Sequence, residues 1–301
     1  MRILNLIDSF QYARTNCFQH QLLEAVDTRF ATINTVELST ALSDPAQYRK
    51  YDGYISCLKL RTLASKYEAI KGFVENKKIS VYDQDPWESF RDDGPWKDSY
   101  YKIASSLNTT FHVTSSTWSN FVSARGLKCH FVPMWVLPKY CTIPEVGEHR
   151  KLHMGFVGQL HPYRKELFDY MNSIGVGVHH LATQTEYRKF LGTLGCLRIF
   201  VHAEELPLIC EGVECNLKNG LFIKDIEALS QGCFSIRNEG ESKEDYWLNQ
   251  CNSFHTYKEF GDILNILEQI KSTGFDIKFA EKIKNNNRWN DTVEMLMQNS
   301  L

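Results

Sequence analysis

The stretch Lys218-Asn-Gly-Leu-Phe222-Ile-Lys224-Asp-Ile226-Glu227-Ala-Leu229-Ser-Gln-Gly232-Cys233-Phe-Ser-Ile236 decides the fold. Phe222, Ile226 and Leu229 recur at i, i+4 and i+7, the apolar stripe of a helix. Gly232 stands where a left-handed cap ends a helix, and the residues from Cys233 to Ile236 read as a buried strand. Lys224 and Glu227, three apart, share one helix face. A helix start, a cation and a carboxylate suit a ligand carrying phosphate and sugar hydroxyls. The competing reading is an exposed ion pair worth about 0.2–0.5 kcal/mol.

Outward from this join the pattern repeats. In the N-terminal half, strands are expected at Arg2–Ile7, Ala31–Leu38, Gly53–Leu58, Lys78–Tyr82, Thr110–Thr114 and Cys129–Val132. Helical patterns lie between them at Thr15–Asp27, Leu63–Asn76, Lys97–Leu107 and Trp118–Arg125. Pro133, Pro138 and Pro144 with the polar run from Glu148 mark a hinge. The alternation restarts with strands at Leu152–Val157, Val176–Leu181 and Cys196–His202, and helices at Tyr163–Ser173 and Thr185–Leu194. A loop is expected over Ala203–Lys218, holding Glu204, Glu205, Glu211 and Glu214. A helix at Lys258–Ser272 and a polar helical tail close the chain. Short apolar strands alternating with helices predict parallel sheets covered on both faces. The fold class is α/β, with two Rossmann-like domains (1–145 and 146–301) facing a cleft, where ligands meet the carboxyl ends of the strands.

The chain has 301 residues, 43% hydrophobic and 23% charged, with a net charge of −2. That balance describes a globular protein with no drive toward nucleic acid or anionic lipid. Nine cysteines without a CxxC pair predict reduced thiols in a cytosol and no metal site. No run approaches the ~18 apolar residues of a transmembrane segment. The first glycine is Gly53, so the first β–α turn has no GxGxxG, and no GxxxxGK[ST] occurs. Both dinucleotide and P-loop readings are thereby set aside.

Two further segments carry chemistry. In Ile79-Ser-Val-Tyr-Asp83-Gln-Asp85-Pro-Trp87-Glu88 a strand ends in two carboxylates. Either Asp83 or Asp85 at a strand end can serve as general base on an acceptor hydroxyl. Divalent-metal binding by Asp-x-Asp and turn capping before Pro86 are the alternatives. Trp87, Glu88 and Trp96 follow as candidate acceptor contacts, since flat amphipathic rings suit sugar or base stacking. In Met154-Gly-Phe156-Val-Gly158-Gln-Leu-His161-Pro-Tyr-Arg164-Lys165 a strand turns at glycine into a helix opening with two cations. Cations oppose the dipole there, so their placement points to an anion such as a diphosphate. His20, on the first long helix, is a candidate acid or base, and Asp8 ends the first strand. His179 and His180 alternate faces, so at most one reaches the cleft.

These segments resemble GT-B-fold glycosyltransferases. The C-terminal half is similar to the spore-coat-type and group 1 families, whose strand-glycine-arginine unit matches Gly158 to Lys165. Their [KR]-x-x-E-A-x-x-x-G unit matches Lys224 to Gly232. The layout is also similar to bacteriophage DNA β-glucosyltransferases, whose catalytic Asp ends an N-domain strand. The resemblance implies that Glu227 binds the donor ribose and that Gly158, Arg164, Lys165 and Lys224 surround its diphosphate. The retaining group 1 pattern places a second glutamate where Asn219 stands here, leaving Glu211 or Glu214 as stand-ins.

The expectation is a glycosyltransferase, cytoplasmic or peripheral at the inner membrane face, using a nucleotide diphosphate sugar, such as a UDP-sugar, with no obligatory cofactor or metal. Its acceptor would be a bacterial surface glycan or lipid-linked precursor in polysaccharide biosynthesis, and an Asp base implies inversion. A phage-type DNA glucosyltransferase is the alternative, against which the near-neutral charge counts. A non-catalytic nucleotide- or glycan-binding protein of the same fold is the rival from another class.

Overall fold

Short apolar runs that end in polar or turn residues make the strands, and each pairs in register with its neighbour. The computed structural model describes residues 2–30, 32–143, 150, 152–158, 160–181, 186–203, 207–216, 223–239 and 243–301. Outside these lie the hinge from Pro144 to Glu148, Glu204, Glu205, Asn219 and Phe222.

The first sheet contains β1 (Ile3–Ile7), β2 (Ile33–Glu37), β3 (Gly53–Ser56), β4 (Lys78–Asp83), β5 (Asn108–Val113) and β6 (Cys129–Phe131). All pair parallel, in the order β2-β1-β3-β4-β5-β6. The second unit has β7 (Leu152–Val157), β8 (His179–Leu181) and β9 (Leu197–His202). A hairpin follows, β10 (Pro207–Cys210) and β11 (Val213–Asn216), then β12 (Phe234–Asn238) and β13 (Phe254–Tyr257). The second sheet is also parallel, in the order β13-β12-β9-β7-β8. Counted from its own first strand, each sheet runs second, first, third, fourth, fifth, and the first sheet adds a sixth. That order reverses direction beside the first strand, the switch point where open α/β sheets bind ligands. β1 and β3 are buried throughout, as strands covered on both faces must be.

The quoted stretch behaves as its pattern predicts where it is described. The helix Ile223–Ser230 ends at Gly232 with φ +78°. Cys233 N–H donates to Ala228 O (2.9 Å) and Gly232 N–H to Leu229 O (3.1 Å), the paired bonds of a Schellman cap. β12 begins two residues after Gly232.

Two features differ from the sequence expectation. First, the compact units are Met1–Met134 with Pro207–Cys215 and Arg288–Leu301, and Trp135–Leu206 with Asn216–Asn287. A single division near residue 145 misses both returns to the first unit. The closing helix Trp289–Asn299 lies on β4, where Ser80 Oγ donates to Leu296 O (2.8 Å) and Trp289 meets the Tyr82 ring edge-on. A Cβ on Gly53 would stand 2.0 Å from Ser300 O, so only glycine admits that approach.

Second, part of the expected loop Ala203–Lys218 is the β10–β11 hairpin. Its two-residue turn, Glu211 (φ +49°) and Gly212 (φ +75°), has the positive angles that match strand twist. Glu211 takes this uncommon conformation while Tyr101 OH donates to its Oε1 (2.9 Å) and Arg125 pairs with its Oε2. Asp92 N–H donates to Ile209 O (2.9 Å), and Asp92 Oδ2 accepts from Gly212 N–H (2.8 Å). These partners are distant in sequence, which is why local pattern did not reveal the hairpin.

Candidate functional site

In the first unit the loops after β1, β3 and β4 converge on the switch point. They line a cavity of about 250 Å³ with Tyr12, Asn16, Gln19, Lys59, Asp83 and Glu88 among its walls. Asp8, just past β1, accepts from Gln19 Nε2 (2.9 Å), Lys59 N–H (3.0 Å) and Thr62 Oγ1 (2.5 Å). This carboxylate ties two helices to the end of β1. The Lys59 ammonium lies 3.4 Å from the Tyr12 ring centroid, and burial, with Arg61 nearby, lowers its pKa.

The two aspartates have different environments. Asp83 is 4% exposed; its Oδ1 accepts from Asp85 N–H (3.0 Å) and its Oδ2 from Tyr100 OH (2.9 Å). Burial raises its carboxyl to about 7, even though both hydrogen bonds favour the charged form. Asp85 is half-buried in the cavity wall and accepts from Trp87 Nε1 (3.3 Å). Burial, then the Asp85 charge, raises Glu88 as well. Asp83 therefore holds the loop from a buried position, while Asp85 and Glu88 are half-buried in the cavity wall. Trp87 and Trp96 pack on the core and are not among the cavity lining. His20 pairs with Glu24 (3.2 Å) on its own helix and does not line the cavity either.

The corresponding point in the second unit is built around Phe156 at the end of β7. Gly158 has φ +145°, and a Cβ there would come 2.9 Å from Phe156 Cζ and 3.2 Å from Lys224 Nζ. Lys224 Nζ donates to Val157 O (3.4 Å) and His180 Nε2 bonds Gly158 O (2.8 Å). Arg164, 5% exposed in the first turn of Pro162–Ser173, donates from Nε to Ala203 O (2.9 Å), with its guanidinium 5.1 Å from the Phe156 ring. Lys165 beside it is exposed. Gly158, Arg164 and Lys224 are thus brought together.

Glu227 is 1% exposed, which rejects the exposed ion pair. Burial raises it to about 7, against the pull of nearby Tyr187 and Lys224. Its Oε1 makes no hydrogen bond among the described residues. A buried acceptor of this kind costs about 1–3 kcal/mol unless a ligand or water satisfies it.

Sequence reasoning missed Lys59, Arg61, Tyr12 and Gln19, although applying the strand-end rule to β3 leads to Lys59 and Arg61. It also missed Asp225, which lies between Lys224 and Glu227. Of the possible second glutamates, Glu211 is engaged by Tyr101 and Arg125, and Glu214 is exposed on β11. Among the described residues, no cluster of three or more His, Cys, Asp or Glu is placed to hold a metal ion. No helix there is long and apolar enough to cross a membrane.

No protein-family model and no curated protein matches the chain. Solved structures do. An α,α-trehalose-phosphate synthase (UDP-forming) from Burkholderia vietnamiensis is similar at 9% identity and a TM-score of 0.56, over 99% of both chains. The trehalose-6-phosphate synthase OtsA is similar at 7% identity and a TM-score of 0.54, over 100% of this chain and 96% of that one. A chain of the GtfA/B complex aligns at 9% identity and a TM-score of 0.51, over 86% of this chain and 60% of that one. At such identities the likeness concerns architecture, and the architecture is the GT-B fold of glycosyltransferases, with two Rossmann-like domains.

Proposed function

We propose that this protein transfers a sugar from a nucleoside diphosphate sugar to a hydroxyl acceptor. The observation that carries the reading is the second-unit cluster. There Gly158, packed tightly against Phe156 and Lys224, joins the cations Arg164 and Lys224 at the end of β7, and the buried Glu227, with an unsatisfied oxygen, lies near Lys224. Lys224, Arg164 and the exposed Lys165 supply positive charge for the diphosphate at the start of Pro162–Ser173. Glu227 accepts from the ribose hydroxyls. The fold shared with a UDP-forming synthase makes uridine diphosphate the first nucleotide to test.

The first unit supplies the acceptor side. Its polar cavity suits a hydroxyl-rich acceptor, such as a surface glycan or its lipid-linked precursor. Asp85 takes the acceptor hydroxyl's proton as that oxygen bonds the anomeric carbon. The bond from that carbon to the diphosphate oxygen breaks, and its electron pair leaves on the diphosphate, which the cations stabilise. A single displacement of this kind inverts the anomeric carbon.

Thermal-shift titration with uridine, guanosine, cytidine and thymidine diphosphate sugars tests the donor side, because a ligand of the native state raises its stability. Release of nucleoside diphosphate and NMR of the product anomeric carbon then test transfer and inversion. Binding without product from any acceptor would make the chain a binding protein of this fold. A product of retained configuration would remove the Asp85 base.

A further inference from the structure

Asp225 occupies an unusual place beside the proposed donor residues. It sits in the first turn of Ile223–Ser230, one residue after Lys224 and two before Glu227. Helical geometry turns it about 100° from Lys224, away from the face that Lys224 and Glu227 share. On that other face the side chain is fully buried and meets three groups. His202 Nε2 lies 2.7 Å from Asp225 Oδ1, and Ser235 Oγ donates to the same oxygen at 2.7 Å. Arg237 Nη1 lies 3.4 Å from Oδ2. His202 ends β9, Ser235 and Arg237 lie on β12, and His202 and Arg237 are register partners across the two strands. All four side chains are 0–1% exposed.

Burial pushes the Asp225 carboxyl upward, but His202, Arg237 and the hydrogen bonds outweigh it and hold it below the ordinary carboxylate range. An ion pair this dry is weak evidence for stability, since well-packed apolar side chains often serve as well. What it provides is direction, because its partners come from two adjacent strands and admit one seating of the helix.

We propose that Asp225 is a positioning residue for the nucleotide site. Clamped to β9 and β12, it sets the helix so that Lys224 reaches the end of β7 and Glu227 Oε1 stays unsatisfied until a nucleotide binds. This rests on the donor-site reading above. Arg237 is the counter-charge of the clamp.

Isothermal titration of the full chain with uridine, guanosine, cytidine and thymidine diphosphates tests it, at a temperature where circular dichroism shows each variant folded. Asp225→Asn keeps the shape and removes the charge; Ser235→Ala removes one hydrogen bond and keeps the charge. The expected result is a Kd raised about tenfold by Asp225→Asn and about threefold by Ser235→Ala. Should Asp225→Asn fail to fold, Ser235→Ala carries the test alone. A merely structural role would lower the melting temperature and leave the Kd of the folded variants within twofold of wild type, which overturns the proposal. Wild type that binds none of the four diphosphates overturns the donor-site reading and the positioning role with it.

Discussion

The two units carry the same strand order and place polar residues at the same topological point, yet they equip it oppositely. In the first, Asp85 and Glu88 stand half-buried around a cavity, with Lys59 and Arg61 in its wall. In the second, Arg164 and Glu227 are sealed in at 5% and 1% exposure, and Gly158 is packed against Phe156 and Lys224. Strand order delivers the loop ends; the side chains on them decide the chemistry. Accessible carboxylates suit proton transfer, whereas an enclosed cation and carboxylate suit recognition of a charged, hydroxylated ligand. Each unit also buries one carboxyl raised to about 7, Asp83 and Glu227.

This division of labour can be broken most directly at Asp85. Asp85→Asn is expected to lower kcat about 10²–10⁴-fold with nucleotide Kd unchanged, as loss of a general base does. Steady-state kinetics beside calorimetry reads both, and full activity would move the base to Glu88.

Glu227 comes next. Between the ordinary value of 4.5 and about 7, the folded protein keeps a proton that the unfolded chain has released. Its contribution is therefore favourable at low pH and is lost as pH rises through 7. Glu227→Gln should make the protein more stable than wild type at pH 8, on the order of 3 kcal/mol, with little change at pH 4. Nucleotide affinity should run the other way in wild type, strengthening from pH 6 to 8 as the carboxylate that accepts ribose hydroxyls forms. Urea melts and titrations at three pH values check both signs; a flat profile denies Glu227 the ribose role.

Gly158→Ala should cost about 1–3 kcal/mol of stability, because φ +145° strains any side chain and Cβ meets Phe156 and Lys224. It should also weaken nucleotide binding while leaving the first-unit cavity unchanged. Lys165→Ala sharpens the contrast at the low end. An exposed charge is screened at physiological salt, so Kd should change less than about threefold.

Much of this architecture was legible in the chain. The strands of both sheets except β13 were readable within a few residues, because parallel strands buried on both faces are unbroken apolar runs. The cap at Gly232 and the carboxylates ending β4 were equally visible, being local. What local pattern could not supply was partnership. Asp83 and Asp85 read as equals until Tyr100, 17 residues on, was found holding Asp83. Trp87 and Trp96 read as binding rings and pack on the core. Glu211 read as part of an acidic loop and is clamped by Tyr101 and Arg125.

The sequence by itself determined the α/β class, the two-fold restart of the pattern and the strand ends at which to look. Periodicity and turn chemistry are properties of neighbours along the chain. Only the tertiary structure decided that the last helix and the β10–β11 hairpin belong to the first unit, that Asp83 is the buried aspartate held by Tyr100, and that Asp225 ties the Lys224–Glu227 helix to β9 and β12. Those outcomes depend on burial and on partners remote in sequence, and burial is what moved Asp83 and Glu227 to about 7.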